Sequence, residues 1–216
     1  MIQLHYFPGN ASMAPHLLLE EIGQPFELKQ VDRANNGHKS ADYLKLNPNG
    51  LIPVLVDGDS VLYETAAILL HLADTHPAAG LLPALGSPER AQAYKWLIWL
   101  TNTLQPALIA YFYPERWVKD GNTEGAAEVQ AAAEARVVEL LAQVEAQLAS
   151  HGGPWLLGAD YSAADALAFM LCRWTRGFAS RPARDFSLTG AYLQRMLARP
   201  AVQRMFATEA LPQPWV

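Results

Sequence analysis

The sequence predicts an α/β domain of order β-α-β, loop, β-β-α with a mixed sheet, followed by an all-α domain. Three observations carry this. Residues 2–31 read strand, helix, strand, and two consecutive strands joined by a helical crossover lie parallel. Two apolar runs between residues 51 and 63 flank Asp57-Gly58-Asp59, a hairpin signal. Beyond about Glu89 the strand pattern stops and strong helix formers take over. The predicted divisions are a first domain over residues 1–77, a linker over 78–88 and a helical domain over 89–216.

In order, residues 2–7 form a short run ending at Pro8-Gly9, a buried strand and turn. Met13, Leu17, Leu18 and Ile22 then recur at helical spacing, and Gly23 is a C-terminal stop. Residues 25–31 read as the second strand. Residues 32–50 are loop-like, with a helical turn near 40–46 and a turn cluster at Asn47-Pro48-Asn49-Gly50. After the hairpin, a helix runs from about Thr65 to Asp74. Residues 77–88 hold Pro77, Pro83, Pro88, Gly80 and Gly86 and read as a connection. Helices are expected over 89–113, 124–149, 163–179, 188–198 and 200–207. Pro106 should end or kink the first of them. The run 163–179 is almost wholly apolar and predicts a helix buried on all sides.

Composition narrows the function. The chain has 216 residues, 51% hydrophobic and 17% charged, with a formal net charge of −5. That balance is globular and gives no support for binding a phosphate backbone, which needs clustered Lys and Arg. One cysteine, Cys172, excludes a disulfide framework and a paired-cysteine redox motif. It lies in an apolar helical run and reads as a buried, inert thiol. No metal-ligand cluster, phosphate-binding loop or dinucleotide fingerprint occurs. No run reaches the roughly 18–20 apolar residues of a membrane span, and residues 1–5 lack the pattern of a signal peptide. The expectation is a soluble, cytoplasmic protein that binds neither nucleic acid, membrane nor metal.

Three places in the first domain attract attention. The first is the strand–helix junction from Tyr6 to Met13. A helix N-terminus offers unpaired N–H groups and a positive dipole end, which lower the pKa of a thiol placed there. Asn10 and Ser12 are possible donors to it, and equally possible N-caps. The second is Ile52-Pro53, where a proline in a strand-like run removes a ladder donor. The backbone before it is then open to an extended peptide. The third is Glu64-Thr65, with Thr65 as an N-cap and Glu64 able to pair with an amino group.

Taken together, the motifs carry a resemblance. Tyr6…Pro8-Gly9…Ser12…Pro15-His16, then Asn47-Pro48-Asn49-Gly50-Leu51-Ile52-Pro53-Val54-Leu55, then Glu64-Thr65-Ala66-Ala67-Ile68 resemble the glutathione transferase family, closest to its bacterial members. Trp155-Leu156-Leu157-Gly158…Tyr161-Ser162-Ala163-Ala164-Asp165 is similar to that family's second domain. There Ser162 and Asp165 match a capping box. The resemblance implies a thioredoxin-like first domain, glutathione as co-substrate and a homodimer. It implies a cis bond before Pro53, with the Ile52 backbone pairing the cysteinyl part of glutathione. Glu64 and Thr65 would hold the γ-glutamyl end, and His38, with Lys39 as substitute, the glycyl carboxylate. One departure matters. Bacterial beta-class members usually read Gly-Ala-Cys-Ser in the turn, and here it is Gly9-Asn10-Ala11-Ser12. Thiolate activation falls to Ser12 as favoured donor, with Asn10 assisting and Tyr6 next.

In the helical domain the stretch from Trp96 to Trp117 is rich in aromatics. Much of it must be core. The same composition suits a pocket for a small hydrophobic electrophile, for which Asn102, Thr103, Tyr111, Tyr113, Trp117 and Trp174 are the expected lining. The implied activity is conjugation of glutathione to such an electrophile, with peroxide reduction as a further activity. The rival readings are a non-catalytic interaction module on the same scaffold and a glutathione-dependent lyase, isomerase or dehalogenase.

Overall fold

The structure, a computed structural model, describes all residues from Met1 to Val216. Two compact units emerge. The first comprises Met1–Leu82 and Leu197–Pro212, the second Pro83–Met196 and Gln213–Val216. Residues 197–212, expected in the helical domain, cluster with the sheet.

The first unit is a four-stranded mixed sheet of order β2-β1-β3-β4. Strand β1 (Ile2–Tyr6) runs parallel to β2 (Phe26–Gln30) through helix α1 (Met13–Ile22), and antiparallel to β3 (Val54–Asp57). Strand β4 (Ser60–Tyr63) closes the hairpin with Asp57 opposite Ser60. Gly58, at φ 59°, supplies the positive φ that a two-residue hairpin turn favours. Strand β3 starts at Val54, after Pro53 rather than at Leu51, because proline has no N–H for the ladder. Alternation puts Leu55 on one face and Val54 and Val56 on the other. Val54 packs with Val31, Ile52 and Tyr43, the last from helix α2 (Ala41–Leu46). Helix α3 (Thr65–Thr75) lies beside α1, and Leu4, Leu18, Leu55, Ile68, Leu69 and Leu72 are fully buried.

Helix α1 is buried from Met13 through Leu19, including His16. An amphipathic surface helix exposes one face. Here the second face is covered by helix α9 (Pro200–Thr208), which turns Val202, Met205 and Phe206 inward.

The second unit is all helical: α4 (Pro88–Trp99), α5 (Gln105–Phe112), α6 (Thr123–His151), α7 (Ala163–Trp174) and α8 (Ser187–Leu197). Pro88 opens α4, where a missing N–H costs nothing, and the Ser87 hydroxyl accepts the Arg90 N–H at 3.1 Å. The helical run continues through Pro106. A five-residue π-helical stretch, Leu100–Leu104, precedes it and absorbs the mismatch in hydrogen bonding. Helix α7 is buried on all sides from Ala163 through Arg173, as its composition implied, but stops at Trp174. Thr175 ends it, its hydroxyl donating to the Cys172 carbonyl at 2.7 Å and accepting the Ala183 N–H at 2.8 Å. At its start, the Asp165 carboxylate accepts the Ser162 N–H and the Leu156 N–H, each at 2.8 Å, and the Ser162 hydroxyl at 2.9 Å. Complete burial pushes the Asp165 carboxyl up to about 6, against the lowering effect of those bonds. No helix is long and apolar enough to cross a membrane.

Candidate glutathione site

The turn between β1 and α1 is built on Phe7. Its carbonyl accepts the Asn10 N–H at 3.1 Å and the Ser12 hydroxyl at 3.1 Å, and its N–H donates to the Ser12 hydroxyl at 3.2 Å. Gly9 sits at φ 73°, a conformation other residues adopt at a cost. The Ser12 hydroxyl is therefore spent on the backbone of the turn, and Ser12 is completely buried. Ser12, the expected donor to a thiol, here donates to the Phe7 carbonyl and braces the turn.

Asn10 is placed differently. It is half-buried, and its Oδ1 accepts the Ala11 N–H. That fixes the carbonyl end of the amide inward and leaves the Nδ2 donor without a partner in the chain. Tyr6 is 8% exposed, and burial, then the charge of Glu209, hold its phenol above the ordinary range. It packs edge-on to His16 with ring centres 6.1 Å apart, which makes it a core residue.

The second wall is the segment before β3. Asn47, almost wholly buried, organises Asn47-Pro48-Asn49-Gly50: its Oδ1 accepts the Asn49 N–H at 3.0 Å and its Nδ2 donates to the Leu51 carbonyl at 2.9 Å. The Tyr43 hydroxyl donates to that same carbonyl at 2.8 Å. The next residue is the opposite case. Ile52 precedes a cis Pro53 and stands outside the ladder, and its N–H and C=O take no bond within the chain. Phe7 packs against the cluster that contains Ile52, which brings this open backbone to the Phe7–Ser12 turn.

Charged residues stand around both. Lys39 donates to the Asn49 carbonyl at 3.1 Å. His38 and Lys39 close over Gly50 so tightly that a Cβ there would lie 2.8 Å from the His38 carbonyl oxygen. The His38 Nδ1 is buried with no hydrogen-bond partner. Burial, then the charges of Lys39 and Arg33, hold its imidazole below the ordinary range. Arg33 lies over the Phe7 ring at 5.7 Å. It was not singled out in the sequence, where it is one basic residue in a polar loop; only the fold brings it to Phe7 and His38. On the far side Tyr63 pairs with Val54, so Glu64 and Thr65 follow the end of β4 next to Pro53. Glu64, not Thr65, is the N-cap of α3; it is exposed and sits at φ 72° and ψ 113°, unusual for a residue with a Cβ. Thr65 is the buried first helical residue.

In the second unit, Asn102 and Thr103 fall in the π-helical stretch. Tyr111 packs on Phe178 at 4.4 Å and on Phe112 at 5.1 Å, and Phe112 meets Trp174 at 6.2 Å. Tyr113 is covered by the Arg116 guanidinium at 3.9 Å. Of the residues expected to line an electrophile pocket, Tyr111 and Trp174 thus share one aromatic cluster, to which Phe112 and Phe178 add. Trp117 stands apart, 63% exposed.

A mixed sheet with an open backbone before a cis proline, a strand–helix turn whose Phe7 packs beside it, and an all-helical second unit define the architecture of a glutathione transferase. Comparison with known proteins agrees. The family model for the glutathione S-transferase N-terminal domain matches residues 1–74, and that for the C-terminal domain residues 100–200. The chain is 34% identical over 210 residues to Glutathione S-transferase GST-4.5 of Xanthomonas campestris, covering 97% of this chain and all of the relative. Among solved structures it is similar to a glutathione transferase homolog from Sulfitobacter with bound glutathione, at a TM-score of 0.87 and 29% identity, covering 98% of this chain and 99% of that one. A beta-class glutathione S-transferase of Sphingomonas chungbukensis matches with a TM-score of 0.82 and 30% identity, over 97% of this chain and all of that one. The chain belongs to the glutathione S-transferase family and is an enzyme of that type.

Proposed function

We propose that the enzyme binds glutathione along the first unit and conjugates it to small apolar electrophiles. The Ile52 N–H and C=O pair with the cysteinyl residue. Glu64 and Thr65 take the γ-glutamyl end. His38 and Lys39, with Arg33 beside them, take the glycyl carboxylate. The sulfur then lies at the Phe7–Ser12 turn, where Asn10 Nδ2 and the positive end of α1 stabilise its anion. The observation that carries this reading is the Ile52 backbone, unpaired although the carbonyl just before it accepts two hydrogen bonds. It is a ready partner for an extended peptide.

A free thiol ionises near 8.5 and is mostly protonated at neutral pH. A depression of about two units makes the thiolate the main form, and each unit corresponds to about 1.4 kcal/mol. The proton leaves to solvent. The thiolate then forms a C–S bond with the electrophile, and in an aromatic substitution a halide departs with the bonding electrons. The acceleration rests on placement and charge stabilisation. No protein thiol takes part, since the turn carries Ala11 and Cys172 is buried. Homodimerisation and a cytoplasmic location belong to the same proposal.

Glutathione binding by calorimetry, paired with turnover of 1-chloro-2,4-dinitrobenzene, tests the proposal. Binding with turnover is the expected result. Binding without turnover of any electrophile favours an interaction module. Turnover of one metabolite but not of general electrophiles favours a glutathione-dependent lyase, isomerase or dehalogenase.

A further inference from the structure

The C-terminal residues of the first unit reach the turn that carries the proposed thiol site. Helix α9 ends in a reversal: the Leu211 N–H returns to the Phe206 carbonyl at 3.2 Å and the Ala210 N–H to that of Ala207 at 3.3 Å. This double closure turns the chain through one left-handed residue, here Ala210 at φ 51° rather than a glycine. The reversal delivers two side chains to Gly9. Glu209 Oε2 accepts the Gly9 N–H at 2.8 Å. Leu211 Cδ2 lies 3.6 Å from the position a Gly9 Cβ would occupy.

The other carboxylate oxygen, Glu209 Oε1, is 2.8 Å from His16 Nδ1. His16 is wholly buried and Glu209 nearly so. His16 Nε2 has no hydrogen-bond partner and faces Glu20 Oε1 at 3.8 Å. Other ion pairs also join α9 to α1. Arg199 holds Glu21 through two bonds of 2.6 and 2.9 Å, and Arg204 holds the Glu20 carboxylate at 2.5 Å and its carbonyl at 2.7 Å. Burying a carboxylate is costly unless it is fully bonded. Glu209 is buried where one oxygen grips the turn and the other grips the middle of α1.

We propose that Glu209 is a positioning residue: anchored on His16, it holds the Phe7–Ser12 turn through the Gly9 N–H and so sets the geometry of the glutathione thiol site. The inference rests on the proposed placement of the thiol at that turn. It assigns to the C-terminal segment a part in the reaction that neither end of the chain shows alone.

The test compares Glu209→Ala, Glu209→Gln and Arg204→Ala. The readouts are hydrogen exchange of the Gly9 amide in the free enzyme, the thiol pKa of bound glutathione, and kcat and KM. Glu209→Ala should speed Gly9 exchange, raise the thiol pKa and lower kcat/KM on the order of tenfold or more, mainly through kcat, the scale expected of a small misplacement. Glu209→Gln, which keeps an acceptor for Gly9 and gains a donor towards His16, should restore all three. Arg204→Ala, which weakens docking without touching the turn, should leave the thiol pKa unchanged. Should Glu209→Ala not fold, Glu209→Asp serves, since a side chain one methylene shorter cannot span Gly9 and His16. Unchanged Gly9 exchange, an unchanged thiol pKa, or an equal rise in Arg204→Ala overturns the proposal. If wild-type enzyme does not lower the thiol pKa, the functional reading fails, and Gly9 exchange still decides whether Glu209 holds the turn.

Discussion

The Ser12 hydroxyl donates to the Phe7 carbonyl at 3.1 Å and accepts the Phe7 N–H at 3.2 Å, closing both backbone groups of one residue with a single buried oxygen. Removing that oxygen strands the Phe7 N–H, while the Phe7 carbonyl keeps only the Asn10 N–H, at about 1–3 kcal/mol for a group left unpaired. Ser12→Ala should therefore lower the melting temperature by several degrees, at roughly 2–4 °C per kcal/mol for a chain of this size. Any loss of activity should accompany that loss of stability. Calorimetric melting beside kcat/KM checks this; full stability with activity abolished would return Ser12 to a direct catalytic role.

His38 should give glutathione binding a pH dependence of known sign. In the free enzyme its imidazole ionises below the ordinary 6.5, because burial and the neighbouring Lys39 and Arg33 disfavour the cation. A bound carboxylate favours the cation and raises that pKa. Binding then takes up a proton, so affinity rises as pH falls through the pKa of the complex and levels off below that of the free enzyme. Calorimetry with S-methylglutathione, which has no thiol to titrate, should show tighter binding at pH 6 than at pH 8. His38→Gln should flatten the profile.

Cys172 should be silent in the native protein. Complete burial pushes its thiol up to about 12, and the thiolate is the reactive form. Titration with a disulfide reagent should find no reactive group in the folded enzyme and one in denaturant.

Asp165 should be a major stability residue. Three buried donors, Leu156 N–H, Ser162 N–H and Ser162 Oγ–H, end on its carboxylate. Asp165→Ala should cost about 2–5 kcal/mol, measured by denaturant unfolding, while leaving the affinity for glutathione in the surviving folded fraction unchanged.

The mixed sheet was legible because each strand boundary is punctuated locally, by Pro8-Gly9, Gly23 and Asp57-Gly58-Asp59. The start of α7 was legible because Ser162 and Asp165 interact within one turn of helix. The open backbone of Ile52 was legible because proline's missing N–H acts on its immediate neighbour. What escaped depends on long-range contact. Whether the Ser12 hydroxyl faces a ligand or the Phe7 backbone is decided by a five-residue turn whose shape Glu209 helps to fix, 200 positions away from Gly9. The placement of residues 197–212 with the sheet follows from Arg199 and Arg204 finding Glu21 and Glu20 on α1, pairs that no periodicity announces. The π-helical stretch before Pro106 is likewise a compromise between proline chemistry and the packing of one long helix.

In the proposed reaction, Asn10 Nδ2 and the N-terminus of α1 stabilise the thiolate of glutathione. The most direct test of this is the ultraviolet thiolate absorbance of bound glutathione against pH, in wild type, Asn10→Ala and Ser12→Ala. The expected result is a thiol pKa lowered by about two units in wild type, partly restored towards the free value in Asn10→Ala, and shifted less in Ser12→Ala. A wild-type thiol that titrates at its free value, or a depression lost in Ser12→Ala and kept in Asn10→Ala, would contradict it.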